Sequence, residues 1–343
     1  MELSLPYQLG KYLLTEEIGH GGFSYVYKAK CENYKIDFVA KILKIKEKSS
    51  VDHVFNAEVS ALTSLNHPNI IRLYDTFVQD DLFVMILEYC PNGCLMDELK
   101  KVKAFNYDEF VYYGRQIVDA LTYCHSKNIA HRDIKLQNIL IDAYGRPKLA
   151  DFGISMKMEN ENLAETFNGS LSYTAPEILC KKAYDPFMAD VWSLGVTFAI
   201  MATGTNPWIG AGETHELKRS IMIGTYQLSK TVNSKIASLI RQMLNIDPKQ
   251  RILMHKIKNS PVFKMCLPGF NTFSGKTPEF DALSISGRRY SKQFPEHSNN
   301  NTSRPEEDQI KLISIYRKNI LNGFTTSKRI VPRLTCSRVP TYI

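Results

Sequence analysis

The stretch His131-Arg132-Asp133-Ile134-Lys135-Leu136-Gln137-Asn138 decides the reading of this chain, together with Asp151-Phe152-Gly153, which follows after one strand-and-turn pattern. Two further strings lie downstream, Ala175-Pro176-Glu177 and Asp190-Val191-Trp192-Ser193-Leu194-Gly195. Toward the N-terminus, a strand pattern leads into Gly19-His20-Gly21-Gly22-Phe23-Ser24-Tyr25-Val26. Glycines in such a hairpin let the backbone approach phosphate oxygens and donate N–H groups to them. Lys41 follows in a second strand, Val39-Ala40-Lys41-Ile42, and Glu58 comes 17 residues later within a helical pattern. A lysine that contacts phosphates needs a carboxylate to fix its flexible stem, and Glu58 is placed by sequence order to supply it. Each feature taken singly has a plainer reading. The glycines then make a tight surface turn, Lys41 is an exposed strand lysine, Glu58 a solvated helix residue, and Asp133 a cap or turn residue. All of them in one order make the plain readings untenable together.

The surrounding sequence falls into two parts. Residues 12–45 alternate apolar and polar around two turn clusters, which predicts strands and hairpins. A helical pattern covers Val51 to Leu65, and strand character returns over 69–89. After Pro91-Asn92-Gly93 the pattern is helical over 95–102, 108–127, 187–203 and 234–245. The predicted fold class is therefore α+β and bilobal, with a small mostly-β first lobe carrying one helix and a larger mostly-α second lobe.

These motifs, in this order, resemble the eukaryotic protein kinase family of the Ser/Thr type, over about three quarters of the chain. HPNIIRLYDTF, EYCPNG and DFGIS are most similar to the calmodulin-dependent and AMP-activated kinase group. The resemblance implies an N-terminal extension over 1–11 and a kinase domain over 12–263. Within that domain an N-lobe runs to about 87, a hinge spans 88–93, and a C-lobe begins at about 94. It implies an ATP-dependent phosphotransferase that uses Mg²⁺, with Mn²⁺ as an alternative. Phosphoryl transfer passes through a loose transition state, so positioning and cations supply most of the catalysis. By resemblance, Asp151 and Asn138 are the metal ligands, an oxygen pair suited to hard Mg²⁺. Asp133 is the base toward the substrate hydroxyl, Lys135 neutralises the γ-phosphate, and Lys41 and Glu58 form the phosphate-anchoring pair. The third glycine position of the loop holds Ser24, a departure shared by many active relatives. A catalytically weak kinase-fold scaffold or binding module is the alternative. It is disfavoured because Lys41, Asp133, Asn138 and Asp151 are all present.

The same resemblance assigns the nucleotide pocket. Ile18, Gly19, His20, Gly21, Gly22, Phe23, Ser24 and Val26 form its roof, with Val39 above the adenine plane where the family usually has alanine. Leu87 is the gatekeeper, Glu88 and Cys90 the hinge contacts, and Leu140 the floor. Leu62, Leu73, His131 and Phe152 match the apolar stack that links the lobes. Asp190 braces the catalytic loop, and Glu177 pairs with Arg251. Lys135 and Gly169-Ser170-Leu171-Ser172-Tyr173 favour Ser/Thr acceptors, and Ile154 accompanies threonine preference in the family. Glutamates that accompany basic substrates are replaced here by Gln137 and Cys94, with Asp97 and Glu98 nearby. Arg132 and Thr166 imply activation by an upstream kinase, since a phosphate at Thr166 adds charge for Arg132 to engage.

Charge and composition complete the reading. The 343 residues carry a formal charge of +8, but residues 264–343 hold 13 Lys/Arg against 6 Asp/Glu, a net +7. The catalytic body is thus near neutral, which argues against nucleic acid as its partner. The tail is basic and predicted largely disordered, with an amphipathic helix at about 309–324 that suits calmodulin, an acidic membrane or the kinase body as an autoinhibitory segment. Arg288-Arg289-Tyr290-Ser291 resembles a basic-directed phosphosite or pseudosubstrate. The apolar run Val191 to Ala202 is shorter than the ~20 residues of a membrane span. The N-terminus lacks the pattern of a signal peptide, and the seven cysteines form no CxxC pair. A monomer acting on protein substrates in the cytoplasm, with access to the nucleus, is expected.

Overall fold

The computed structural model describes residues 3–20, 24–32, 34, 36–44, 51–158, 170–180, 183–208 and 212–264. Gly21, Gly22, Phe23, Thr166 and the predicted helix at 309–324 lie outside the described residues. All described residues belong to the first of two units, Met1–Lys276.

Six strands form one antiparallel sheet: β1 (Tyr7–Leu9), β2 (Tyr12–His20), β3 (Ser24–Cys31), β4 (Asp37–Lys44), β5 (Leu73–Gln79) and β6 (Leu82–Glu88), in the order β1-β2-β3-β4-β6-β5. Alternation decides which side chains face the site. In β4, Phe38, Ala40 and Ile42 are buried with Tyr12, Leu14, Tyr27, Val84 and Ile86 in a core of the sheet's own. Val39 and Lys41 occupy the opposite face, as the period of two requires. Lys41 lies opposite Val26 on one side and Met85 on the other. The hairpin between β5 and β6 turns through Asp80 and Asp81, both with positive φ (49° and 59°), the two-residue turn that matches strand twist.

Part of the N-terminal extension belongs to this sheet. β1 pairs with β2, and Leu9 is fully buried. The Gly10 N–H donates to Gln79 Oε1 at 2.8 Å and the Tyr12 hydroxyl to Asp75 Oδ2 at 3.1 Å, so the two edges of the sheet are tied by side chains.

One helix, α1 (Val51–Ser64), separates β4 from β5. The remainder is helical: α2 (Leu95–Val102), α3 (Tyr107–Ser126), the short α4 (Pro176–Leu179), α5 (Pro186–Thr203), α6 (Thr214–Ile223), α7 (Ser234–Met243) and α8 (Met254–Lys258). Two small ribbons interrupt it, β8 (Ile139–Ile141) with β9 (Pro147–Leu149), and β7 (Ile129–Ala130) with β10 (Met156–Lys157). Helix α3 begins at Asn106, whose side chain accepts from the N–H groups of Asp108 and Glu109, while Glu109 reaches back to the Asn106 N–H. Helix α5 starts with an Asp185 cap and Pro186 and ends at Gly204, where φ is +75° and an added Cβ would lie 1.8 Å from the Lys103 carbonyl oxygen. It is the one described helix long and apolar enough to cross a membrane, and 83% of that stretch is buried inside the protein.

The helices at 95–102, 108–127, 187–203 and 234–245 appear within two residues of the expected bounds. The exceptions are informative. The strand stretch expected over 69–89 begins at Leu73, because Asn69 and Ile71 instead bond to Leu149 in β9, the Asn69 carbonyl accepting its N–H and the Ile71 N–H donating to its carbonyl. Helices α4, α6 and α8 were not anticipated; they are short, and their exposed positions dilute the apolar period.

Candidate active site

The catalytic loop is built on one buried carboxylate. Asp190, fully buried in α5, accepts the His131 N–H at 2.8 Å and the Arg132 N–H at 2.7 Å, and lies 2.9 Å from His125 Nε2. These bonds hold Arg132 at φ +69°, a left-handed conformation that is costly for a side-chain-bearing residue by about 1–3 kcal/mol. His131 Nε2 lies 3.1 Å from the Ala150 carbonyl, which can only accept, so that nitrogen carries the proton. Nδ1 then accepts the Asp133 N–H at 3.3 Å. Burial pushes the His131 pKa down, in keeping with this neutral ring.

Asp133 is held from two sides. Lys135 Nζ is 2.7 Å from its Oδ2, and the Asn138 amide nitrogen donates to the same oxygen at 2.8 Å and to the Asp133 carbonyl at 2.9 Å. Lys135 also donates to Ser170 Oγ at 3.2 Å, which ties the loop to the segment before α4. The Asn138 amide nitrogen is committed to Asp133, and its amide oxygen remains as the acceptor.

Asp151 enters from the end of β9, also left-handed at φ +62°. The Ala150 N–H before it donates to the Asn138 carbonyl at 2.8 Å, so strand and catalytic loop are laced together. The Phe152 ring packs 4.5 Å from the His131 ring, and Phe152 and Leu62 belong to one core with Leu73 against it. The predicted stack of Leu62, Leu73, His131 and Phe152 therefore lies in one packed region.

Lys41 reaches the site from the sheet. Its Nζ is 2.7 and 2.9 Å from the two Glu58 carboxylate oxygens and 3.4 Å from Asp151 Oδ1. Burial pulls the Lys41 pKa down, but Glu58 and then Asp151 outweigh it, and the ammonium is held charged. Burial pushes the Asp151 carboxyl up, and the cationic neighbours, Lys41 foremost, together more than reverse this, leaving it below its ordinary value. Lys41, Glu58, Asp133, Lys135, Asn138 and Asp151 thus form two bonded groups joined through the Ala150–Asn138 link.

A model of the family described as protein kinase domain matches residues 12–263. The chain belongs to the protein kinase family. Among its curated relatives, an Aurora kinase of Dictyostelium discoideum is 35% identical over 260 residues, covering 75% of this chain and 66% of the relative. The carbon catabolite-derepressing protein kinase of Saccharomyces cerevisiae is 34% identical over 264 residues (76% and 41%). NUAK family SNF1-like kinase 2 of Homo sapiens is 34% identical over 250 residues (72% and 39%). The chain therefore spans between 39% and 66% of the length of these relatives. SNF1-like kinases among them agree with the AMP-activated resemblance.

The described residues that the resemblance assigns to the nucleotide pocket lie on β2, β3, β4, β6 and β8 and at Cys90. Val39 pairs with Leu87 across β4 and β6, and Leu140 bridges to Cys94 beneath. Ile18, Gly19 and His20 end β2, and Ser24 and Val26 begin β3. Cys90 is partly buried, and burial, then Glu88, pushes its thiol up to about 12. The Cys94 thiol donates to Asp97 Oδ2 at 3.0 Å, while Glu98 pairs with Lys101, so both acidic neighbours already have partners. Arg251, 2% exposed, grips Glu177 through two bonds of 2.7 and 2.9 Å and donates to the Met188 carbonyl.

Sequence reasoning missed two groups. His125 contacts Asp190 from α3. Lys148, in the middle of β9, pairs with Glu88 at 2.7 Å; a lysine inside an otherwise buried strand was the available signal.

Protein kinases as a family use ATP and a divalent metal. The donors present here fit a hard cation. Asn138 keeps its amide oxygen free of the Asp133 contact, and the cationic neighbours of Asp151, Lys41 foremost, outweigh its burial and favour the carboxylate. Among the described residues no group of three or more His, Cys, Asp or Glu is arranged to hold a metal ion.

Proposed function

We propose that this chain is a protein serine/threonine kinase that transfers the γ-phosphoryl group of ATP to protein hydroxyls. The observation that carries the proposal is the joint placement of Asp133, Lys135 and Asn138 on one side and of Lys41, Glu58 and Asp151 on the other.

Asp133 accepts a hydrogen bond from the substrate hydroxyl and takes its proton as the oxygen attacks phosphorus and the bond to the β–γ bridging oxygen breaks. Such a positioned base is typically worth about 10²–10⁴-fold. Lys135 balances charge on the transferred group while its contact with Ser170 fixes the acceptor platform. Lys41, anchored by Glu58, orients the phosphates. Asp151 and Asn138 would hold Mg²⁺, which supplies charge neutralisation on the phosphates when bound. The hinge backbone at Glu88 and Cys90 receives adenine between Val26, Val39 and Leu140. Lys135 with Ser170 supports Ser/Thr over Tyr, and Ile154 supports threonine. Thr166, three residues before Gly169 in the segment that follows Asp151, is the proposed activating phosphosite for an upstream kinase.

Three degenerate peptide libraries, each with Ser, Thr or Tyr as its only hydroxyl acceptor, test the proposal with γ-labelled ATP and Mg²⁺. Label is expected in the Ser and Thr libraries and not in the Tyr library. No label in any of them, after treatment with an activating kinase, overturns it.

A further inference from the structure

Lys148 stands in a strand whose neighbours Pro147 and Leu149 are buried, three residues before Asp151. Its side chain is only 8% exposed, an environment where an ammonium is costly unless paired. The partner is Glu88 Oε1 at 2.7 Å. Glu88 closes β6 and opens the hinge. Its N–H donates to the Arg72 carbonyl at 2.9 Å, and its second carboxylate oxygen accepts the Arg72 N–H at 3.3 Å. Beyond Lys148, the Leu149 N–H donates to the Asn69 carbonyl and its carbonyl accepts from Ile71, while Ala150 is bonded to Asn138. The strand that delivers Asp151 is therefore fixed by backbone bonds beyond Lys148. Among the described residues, Lys148–Glu88 is the only ion pair joining that strand to the hinge.

A buried ion pair adds little net stability over a well-packed apolar pair of similar size. Its persistence in a strand where valine or isoleucine would pack calls for a geometric role. The Glu88 side chain springs from the residue at the head of the hinge, so fixing its carboxylate also limits rotation of the adjoining peptide planes. Those planes carry the groups that meet the adenine edge.

We propose that Lys148 is a positioning residue for the nucleotide. Through Glu88 it sets the hinge backbone in register with the strand that carries Asp151, so that base and phosphates are held at a fixed separation. The inference rests on the kinase reading and assigns specificity within that same site.

Steady-state kinetics of the full chain, with ATP or GTP varied at saturating peptide, tests it in Lys148→Met, Glu88→Gln, the double variant and Lys148→Arg. Lys148→Met raises the KM for ATP about tenfold, the scale of one charge-assisted hydrogen bond. It leaves kcat and the peptide KM little changed and narrows the preference for ATP over GTP. The double variant leaves no uncompensated charge, so it regains the wild-type melting temperature but keeps the raised KM. Lys148→Arg returns both to wild type. A double variant that recovers KM together with melting temperature overturns the inference, as does an unchanged KM in Lys148→Met. Wild-type protein that binds no MgATP strikes instead at the kinase reading beneath it.

Discussion

Lys41 and Asp133 belong to the two bonded groups of the site, yet the protein holds them by different means. Asp133 follows two residues whose backbone N–H groups are bonded to Asp190, a carboxylate fully buried in the central helix. Lys41 is held by side chains alone, Glu58 from helix α1 and Asp151 across the cleft. The first half is part of the helical core. The second depends on α1 staying seated against the sheet, where the Phe55 ring lies 3.8 Å from that of Phe83 and Leu62 joins the core of Phe152. The difference teaches how each side fails: the catalytic loop cannot move without losing the Asp190 bonds to α5, whereas the Lys41 side rests on side-chain contacts that a single substitution removes.

The largest expected effect breaks the core-built half. Asp190→Ala leaves the His131 and Arg132 N–H groups buried without acceptors, at about 1–3 kcal/mol each. Thermal denaturation should show a domain that is largely unfolded at assay temperature and inactive for that reason. Arg251→Met comes next. It strands the Glu177 carboxylate, a loss of about 3–5 kcal/mol, visible as a fall in melting temperature on the order of 10 °C.

Glu58→Gln sharpens the contrast from the other side. Lys41 keeps Asp151 as a partner, so the melting temperature should fall by a few degrees at most. Transfer should drop about tenfold or more, since one charge-assisted contact is worth that much. An equal loss of stability and activity in Glu58→Gln would show that the two halves are not distinct. Ser170→Ala is the smallest change. It removes one of two Lys135 contacts and leaves the 2.7 Å bond to Asp133. A few-fold rise in the peptide KM with an unchanged ATP KM is expected from steady-state kinetics.

The two halves also differed in how far the sequence revealed them. Asp133, Lys135 and Asn138 sit within six residues and Asp151 thirteen further on, so their chemistry is written locally. Lys41 and Glu58 are 17 residues apart, and their pairing was inferred from what a phosphate-bound lysine needs. Lys148 and Glu88 are 60 residues apart; a lysine between Pro147 and Leu149 hints locally at a buried charge, but nothing local names Glu88 as the carboxylate that meets it. Strand β1 escaped notice for a similar reason. Three residues give too short an alternation to count, and Leu9 acquires its meaning only when the sheet's edges meet. Polar residues whose role is chemical were legible. Those whose role is to hold distant pieces together appeared only in the folded chain.

Single-turnover transfer from γ-labelled ATP, measured beside MgATP affinity for wild type and Asp133→Asn, bears most directly on the catalytic reading. Asparagine keeps the shape at Asp133 but cannot take up the proton, so nucleotide affinity and melting temperature should match wild type while transfer falls by about 10²–10⁴-fold. Equal transfer by the two proteins would contradict it.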